Sequence, residues 1–323
     1  MTKKSKALTY LKENNSVIIL IMVIIAAVLS ASPQFTKVNN LYNLVQSIGT
    51  YGILAIGLTF VFLVGGIDLS IAYQVAFCGT IFALVSNSLG FLPGLLIALS
   101  CGVLLGYLNG NIVTRLKIPP LIGTLAVMTA LNGIVLLLNN NSGSNSMRDV
   151  TVLGMSLKEF YNIRILGFLS PSMLIAVVLL VALGIFLKWT RTGANMYITG
   201  GNPEAGKFSG INNDRLTRLA YTICGLCSSI CAILVVCRLN SSTYNMGDGL
   251  DITAICAVVI GGVKMQGGKG NMGMCIIGVA IMQIINNVML KLAFNSAMQS
   301  LVTGIIVIIV LIIDKFTSNA KAS

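Results

Sequence analysis

Apolar runs of membrane-spanning length follow one another along almost the whole chain, and the breaks between them are rich in glycine and poor in charge. A hydrocarbon core of ~30 Å needs ~20 apolar residues of helix per crossing. Hydrophobic residues make up 56% of the chain and charged residues 9%, far too little polar surface for a soluble protein of 323 residues. Mean hydropathy is +0.91. The expected fold is therefore an all-α membrane protein, a polytopic helical bundle.

Counting apolar runs against polar breaks predicts ten transmembrane helices, near residues 16–33, 44–64, 70–87, 91–113, 121–138, 168–187, 216–237, 251–263, 272–290 and 298–313. The eighth is short for a crossing and is expected to be broken, tilted or misread at its edges. The longest polar gap is about thirty residues, so residues 1–323 read as a single transmembrane domain. The first run follows Lys3, Lys4, Lys6 and Lys12 with no clear small-residue cleavage site after it, which predicts a retained first helix.

A formal charge of +12 suggests nucleic acid until its placement is considered. With the N-terminus inside, alternation through ten spans leaves fifteen of the 21 basic residues on inside segments and six (Lys37, Arg148, Lys158, Arg164, Arg238 and Lys291) outside. Cytoplasmic enrichment of lysine and arginine is the positive-inside pattern. Topology alone thus accounts for the charge, and a basic surface for acidic lipid or a cytosolic partner is the open alternative. Both termini fall in the cytoplasm, as tails at 1–15 and 315–323, and the longest inside loop is 188–215. Membrane lipids are expected partners and nucleic acid is not.

The sequence holds no histidine, which removes the usual zinc ligand and proton relay. Neither an H-E-x-x-H metalloprotease nor a Ser–His protease can be assembled. Cys224, Cys227 and Cys231 share a helical face and read as packing residues, so no metal site is expected.

Four places depart from plain apolar helix. The segment Gly65-Gly66-Ile67-Asp68-Leu69-Ser70 joins two runs with almost no loop. An ionisable residue at membrane depth is costly and faces protein or water. Asp68 and Ser70 are N-cap types for the next helix, or mark a shaped turn on a pathway. The segment Gly200–Ile211 lies on the longest inside loop. Asn202 before Pro203 reads as an N-cap with proline at N1, Glu204 suits the first turn and Gly210 suits a stop. A capped helix of about two turns follows, exposed in the cytoplasm, either docking a partner or lying on the membrane surface. The segment Gly261–Gly270 has five glycines, Gly261, Gly262, Gly267, Gly268 and Gly270, but Lys269 precedes Gly270 where a phosphate loop needs Ser or Thr. Sharp turns and close backbone contacts are the expected use of these glycines. Finally, Asn109, Asn111, Asn132, Gln283, Asn286 and Asn287 lie within spans. They suit interhelical hydrogen bonds, or an aqueous route for a polyhydroxylated solute.

Nearly end to end, the chain resembles the ribose-type permeases of bacterial ATP-binding-cassette sugar importers. Gly66-Ile67-Asp68-Leu69-Ser70 is similar to that family's G-I-D-L-S-V-G stretch. Gly200-Gly201-Asn202-Pro203-Glu204-Ala205 with Ser209-Gly210-Ile211 is similar to its G-G-N-E-x-A-x-x-S-G-I loop. Ala254–Gly262 with Gly267–Gly270 is similar to its A-I-A-A-V-V-x-G-G-x-x-x-x-G-G-x-G run. Two departures stand out: Ala72 replaces a glycine, and Asp251-Ile252-Thr253 replaces E-L-D. The resemblance implies a non-catalytic, multi-pass subunit of the bacterial inner or plasma membrane. It implies pairing with a second permease copy, in a homodimer or heterodimer, with a cytosolic ATP-binding-cassette ATPase and with an extracytoplasmic sugar-binding protein. ATP and Mg²⁺ are then held by the ATPase, with no cofactor on this chain. Asn202, Pro203, Glu204, Ala205, Ser209, Gly210 and Ile211 become the expected ATPase-coupling residues. Gly65, Gly66, Asp68, Ser70, Asn109, Asn132, Asp251, Asn286 and Asn287 become pathway or gating candidates. The alternatives are a permease for nucleosides or branched-chain amino acids, an ion-coupled carrier that would want more buried acids than Asp68 and Asp251, and an intramembrane enzyme without a catalytic set.

Overall fold

The computed structural model describes residues 15–31, 34–139, 144–148 and 150–319. Every predicted apolar run falls on a helix. In order these are α1 (Asn15–Ala31), α2 (Val38–Leu63), α3 (Ile71–Leu89), α4 (Phe91–Thr114) and α5 (Pro120–Leu138). A loop then carries β1 (Ser144–Ser146), β2 (Thr151–Val152), β3 (Met155–Ser156) and the short α6 (Leu157–Tyr161). After it come α7 (Pro171–Trp189), α8 (Arg191–Gly201), α9 (Pro203–Phe208), α10 (Asn213–Leu239), β4 (Ser241–Thr243), α11 (Leu250–Ile260), α12 (Met272–Lys291) and α13 (Ser296–Asn319).

The chain is an all-α polytopic membrane protein. Among the described residues seven helices, α2, α3, α4, α5, α7, α10 and α12, are long and apolar enough to cross a bilayer. Helix α11 has only 11 residues, so that stretch is shorter than an ordinary crossing. Helix α13 continues to Asn319, into the segment expected as a tail. Of the tails, residues 1–14 and 320–323 lie outside the described residues, as do Ser32 and Pro33.

Helices in lipid gain little from apolar burial against one another, so close van der Waals contact through small residues decides which pairs form. Helix α4 presents Gly102, Gly106 and Gly110 in one stripe. A Cβ on any of them would strike α10, at Gly225, at Tyr221–Thr222 and at Arg218 respectively. Gly225 answers from α10, lying against Gly102 and Gly106. Helix α10 also packs on α2 and α3. The most apolar stretches of α2 and α10 are 78% and 72% buried, against 17% for α7, which places α2 and α10 at the centre. The buried cysteines Cys224 and Cys227 of α10 meet α2 where Gly57 has no side chain, consistent with a packing role. Helix α11 lies on α12, with Gly278 against the Ala257 carbonyl and Gly261 against Cys275.

The two ends of the bundle differ. At one end the α5–α7 loop is tied to the end of α10, because β1 pairs antiparallel with β4 in the register Ser144↔Thr243. There α6 begins with a capping box: Glu159 N–H donates to Ser156 Oγ at 3.3 Å, and Ser156 N–H donates to Glu159 Oε2 at 2.9 Å. The opposite end carries α8 and α9. The expected long loop is thus mostly helix.

Candidate functional site

The three glycine-rich segments meet at the end that carries α8 and α9. Gly268 N–H donates to the Leu63 carbonyl, the last residue of α2, at 2.9 Å. Gly267 and Gly268 have φ of +89° and +70°, a region that side chains disfavour. A Cβ on Gly267 would lie 2.8 Å from Gly65 N and 2.9 Å from Gly200 Cα. One on Gly268 would meet Gly201, and one on Gly200 would meet the Leu63 carbonyl. Tyr197 Oη, on α8, donates to the Gly270 carbonyl at 3.2 Å. The end of α2, the end of α8 and the loop after α11 therefore touch backbone to backbone. Gly261 and Gly262 belong elsewhere: Gly261 packs on α12, and Gly262 has nothing within 4 Å of its added Cβ.

Helix α9 projects from this junction. Ala205 N–H donates to Asn202 Oδ1 at 2.9 Å, Pro203 occupies N1, and Gly210 ends the turn with φ +76°. Its base is clamped by Asn213: Nδ2 donates to the Pro203 carbonyl at 2.7 Å, while Oδ1 accepts from Thr199 Oγ1 at 3.1 Å. Asn202, Pro203, Glu204, Ala205, Ser209 and Gly210 are exposed, and Ile211 is half-buried. Phe208 is 93% exposed at the tip. Sequence reasoning passed over it, although it is the one large apolar side chain in the helix.

Behind the junction, the break between α2 and α3 is organised by Asp68, which is fully buried. One carboxylate oxygen accepts from Ser70 N–H at 2.9 Å and Ser70 Oγ at 2.6 Å; the other accepts from Gln74 Nε2 at 3.2 Å. Asn109 Nδ2, on α4, lies 3.4 Å from Asp68 and donates to Ser70 Oγ at 2.7 Å. Leu69 N–H donates to Thr124 Oγ1 of α5 at 3.2 Å, and Tyr221 Oη of α10 donates to the Ile67 carbonyl at 2.9 Å. Ser70 sits at the N-cap position without a side-chain cap bond, and Asp68 accepts from the N–H of Ser70 itself, so the pair orders the break instead of capping the helix as expected. An irregular segment at membrane depth survives only where its polar groups find protein partners. Here α3, α4, α5 and α10 supply them.

A second site lies toward the opposite end. A cavity of ≈ 760 Å³ opens between α2, α11, α12 and α13, lined by Ser47, Arg238, Thr253, Gln283, Asn286 and Gln299 among others. Asn286 and Asn287 both face it. Asn287 also exchanges hydrogen bonds with Asn40 of α2 at 2.9 and 3.0 Å, so it serves packing as well. Asp251 is buried in the first turn of α11, between the lining residues Leu250 and Ile252. Asn132 is on the exposed face of α5. The sequence candidates thus divide into an Asp68 group, an Asn286 group and one outlier. The stripe Ser296, Gln299, Ser300 and Thr303 on α13 also lines the cavity and was missed. Its i, i+3, i+4, i+7 spacing in an apolar helix was the available signal.

With this geometry in view, comparison with known proteins is decisive. The family described as branched-chain amino acid transport system / permease component matches residues 40–311. The chain belongs to that permease family. Among similar curated proteins, the ribose import permease protein of Escherichia coli (strain K12) is 34% identical over 309 residues, 94% of each chain. The ribose import permease protein of Bacillus subtilis (strain 168) is 34% identical over 298 residues, covering 91% of this permease and 90% of that one. The galactofuranose transporter permease protein of Escherichia coli (strain K12) is 34% identical over 273 residues, 83% and 78% of the two chains. No solved structure matches this permease.

Proposed function

We propose that the chain is the membrane subunit of a binding-protein-dependent, ATP-binding-cassette importer that moves a sugar, a pentose or hexose of the ribose kind, into the cell. Relatives named for ribose and galactofuranose support the solute class. The observation that carries the mechanism is the backbone junction of α2, α8 and the Gly267–Gly268 turn after α11, at the foot of an exposed, capped helix. A helix on a flexible loop would absorb a push. This one is clamped by Asn213 and rests on glycines with no side chain to yield.

In this reading α9 docks on an ATPase that holds the nucleotide and its Mg²⁺, with Phe208 as the buried anchor of the contact. Closure of the ATPase moves α9. Gly200 presses on Leu63 and Gly268, and the Asp68-centred break turns the half of the molecule that it joins. Solute delivered by a binding protein meets the amide- and hydroxyl-lined cavity, whose volume falls within the ~300–1,000 Å³ common for small-molecule sites. The chain crosses the bacterial inner or plasma membrane ten times in this reading, with both termini inside and α9 in the cytoplasm. It works beside a second permease copy.

A thermal-shift screen of the cognate binding protein against pentoses, hexoses, nucleosides and branched-chain amino acids tests the solute class. Stabilisation by a sugar is expected. Stabilisation by leucine, isoleucine or valine alone would overturn it.

A further inference from the structure

At the end of the bundle that carries α9, a cleft of ≈ 840 Å³ opens between α4, α7, α8 and α10. Arg215 and Arg218 line its mouth with Asn195; Tyr107, Phe186 and Thr222 line it deeper in. The two arginines are three residues apart on α10 and so share a face. Arg218 donates to Thr114 Oγ1 at 3.2 Å, which leaves most of its donors unused. Among the described residues neither arginine has a carboxylate partner. The nearest acids in sequence, Asp214 and Glu204, are exposed and do not line the cleft. Two neighbouring guanidiniums without a counter-charge favour an anion brought from outside, and their planar forks match phosphate oxygens.

The depth of the cleft decides which anion. Thr222 lies about two turns beyond Arg215, roughly 10 Å along the α10 axis. Tyr107 is 45% exposed on the outer face of α4, so the apolar wall opens sideways to lipid. A free phosphate fills only the rim. A protein approaching from water reaches the rim but not the wall. We infer that the cleft binds one anionic phospholipid, its phosphate held by Arg215 and Arg218 and an acyl chain lying along Tyr107, Phe186 and Thr222. The cleft also includes Ser209, Gly210 and Ile211, which follow α9. A bound lipid therefore buttresses the base of the coupling helix.

The test is native mass spectrometry of the full-length permease in detergent, titrated with phosphatidylglycerol or phosphatidylcholine, with thermal shifts in inorganic phosphate alongside. One phosphatidylglycerol should be retained per chain in preference to phosphatidylcholine. R215Q/R218Q should weaken retention by about 30-fold, the factor for withdrawing two basic groups from an anionic headgroup. R215K/R218K should lose less. Tyr107→Ala, on the exposed face of α4, should weaken lipid retention with both arginines in place, which separates occupancy from any folding defect of the charge variants. Equal retention of phosphatidylcholine, or the same stabilisation by inorganic phosphate alone, would overturn the inference. So would an R215Q/R218Q variant that keeps its lipid while losing the ATPase, because the cleft would then belong to the protein partner.

Discussion

Gly268→Ala isolates the junction on which the proposed coupling rests. The substitution imposes an alanine on a left-handed backbone with φ +70°, and its Cβ would press on Gly201. The left-handed region costs an L-residue roughly 1–2 kcal/mol. Displacing the loop also gives up the Gly268–Leu63 hydrogen bond, worth about 1 kcal/mol net. The docked junction should therefore lose roughly 2–3 kcal/mol, a 30- to 150-fold fall in its population. Gly262→Ala is the matched control. It has φ +84° but nothing near its added Cβ, so it carries the backbone strain without the collision or the lost bond. Both variants are co-reconstituted with the ATPase, and ATP hydrolysis is measured with and without solute-loaded binding protein. Stimulation should fall at least about fivefold further in Gly268→Ala than in Gly262→Ala, the factor for one hydrogen bond. Equal effects in the two variants, or full stimulation in Gly268→Ala, would refute the idea that these loops transmit force by direct contact.

Gly206→Pro should melt α9, since proline there removes the N–H that donates to the Asn202 carbonyl and a mid-helix proline costs ~3 kcal/mol, and should abolish ATPase pull-down and stimulation without blocking insertion. Phe208→Ala should leave α9 intact yet weaken ATPase retention by about tenfold or more, as loss of a central aromatic anchor does; unchanged retention would place the contact elsewhere. Asp68→Asn should reduce transport while uptake stays insensitive to collapse of the proton gradient at constant ATP; uptake that vanishes with the gradient would favour an ion-coupled carrier. Gly106→Leu should separate α4 from α10 and leave little folded protein in size-exclusion chromatography, whereas Gly184→Leu on the open face of α7 should be tolerated.

The helices were legible because each run of membrane length reads as one local pattern, and ends such as Asn202-Pro203 carry their own caps. Family kinship was legible for a related reason, since the three glycine-rich blocks are contiguous in sequence. Their convergence was not. Gly65, Gly200 and the Gly267–Gly268 pair lie far apart in sequence yet touch, and no local pattern encodes a tertiary contact. The same holds for Asp68 with Asn109, where the acid was recognised but its partner on α4 was only one amide among several. Helix α8 lies where the sequence predicts loop: Arg191–Gly201 mixes glycine and polar residues, and its packing on α7 and α10 overrides weak propensity. Two signals were present and passed over: the glycine stripe at 102, 106 and 110, and the polar stripe on α13. Asn132 shows the reverse case, an amide in a span with no part in either site.

Reporter fusions at Ser144 and Ala205 settle the orientation on which inward coupling rests, and opposite sides are expected. The most direct test is transport itself. The permease, its ATPase and its binding protein are reconstituted in liposomes with the binding protein outside, and uptake of radiolabelled ribose is followed with ATP and Mg²⁺ enclosed. Uptake should require ATP and the binding protein, persist without any ion gradient, and be competed by related sugars but not by leucine. Uptake driven by a proton or sodium gradient without ATP, or competed by branched-chain amino acids alone, would contradict the account.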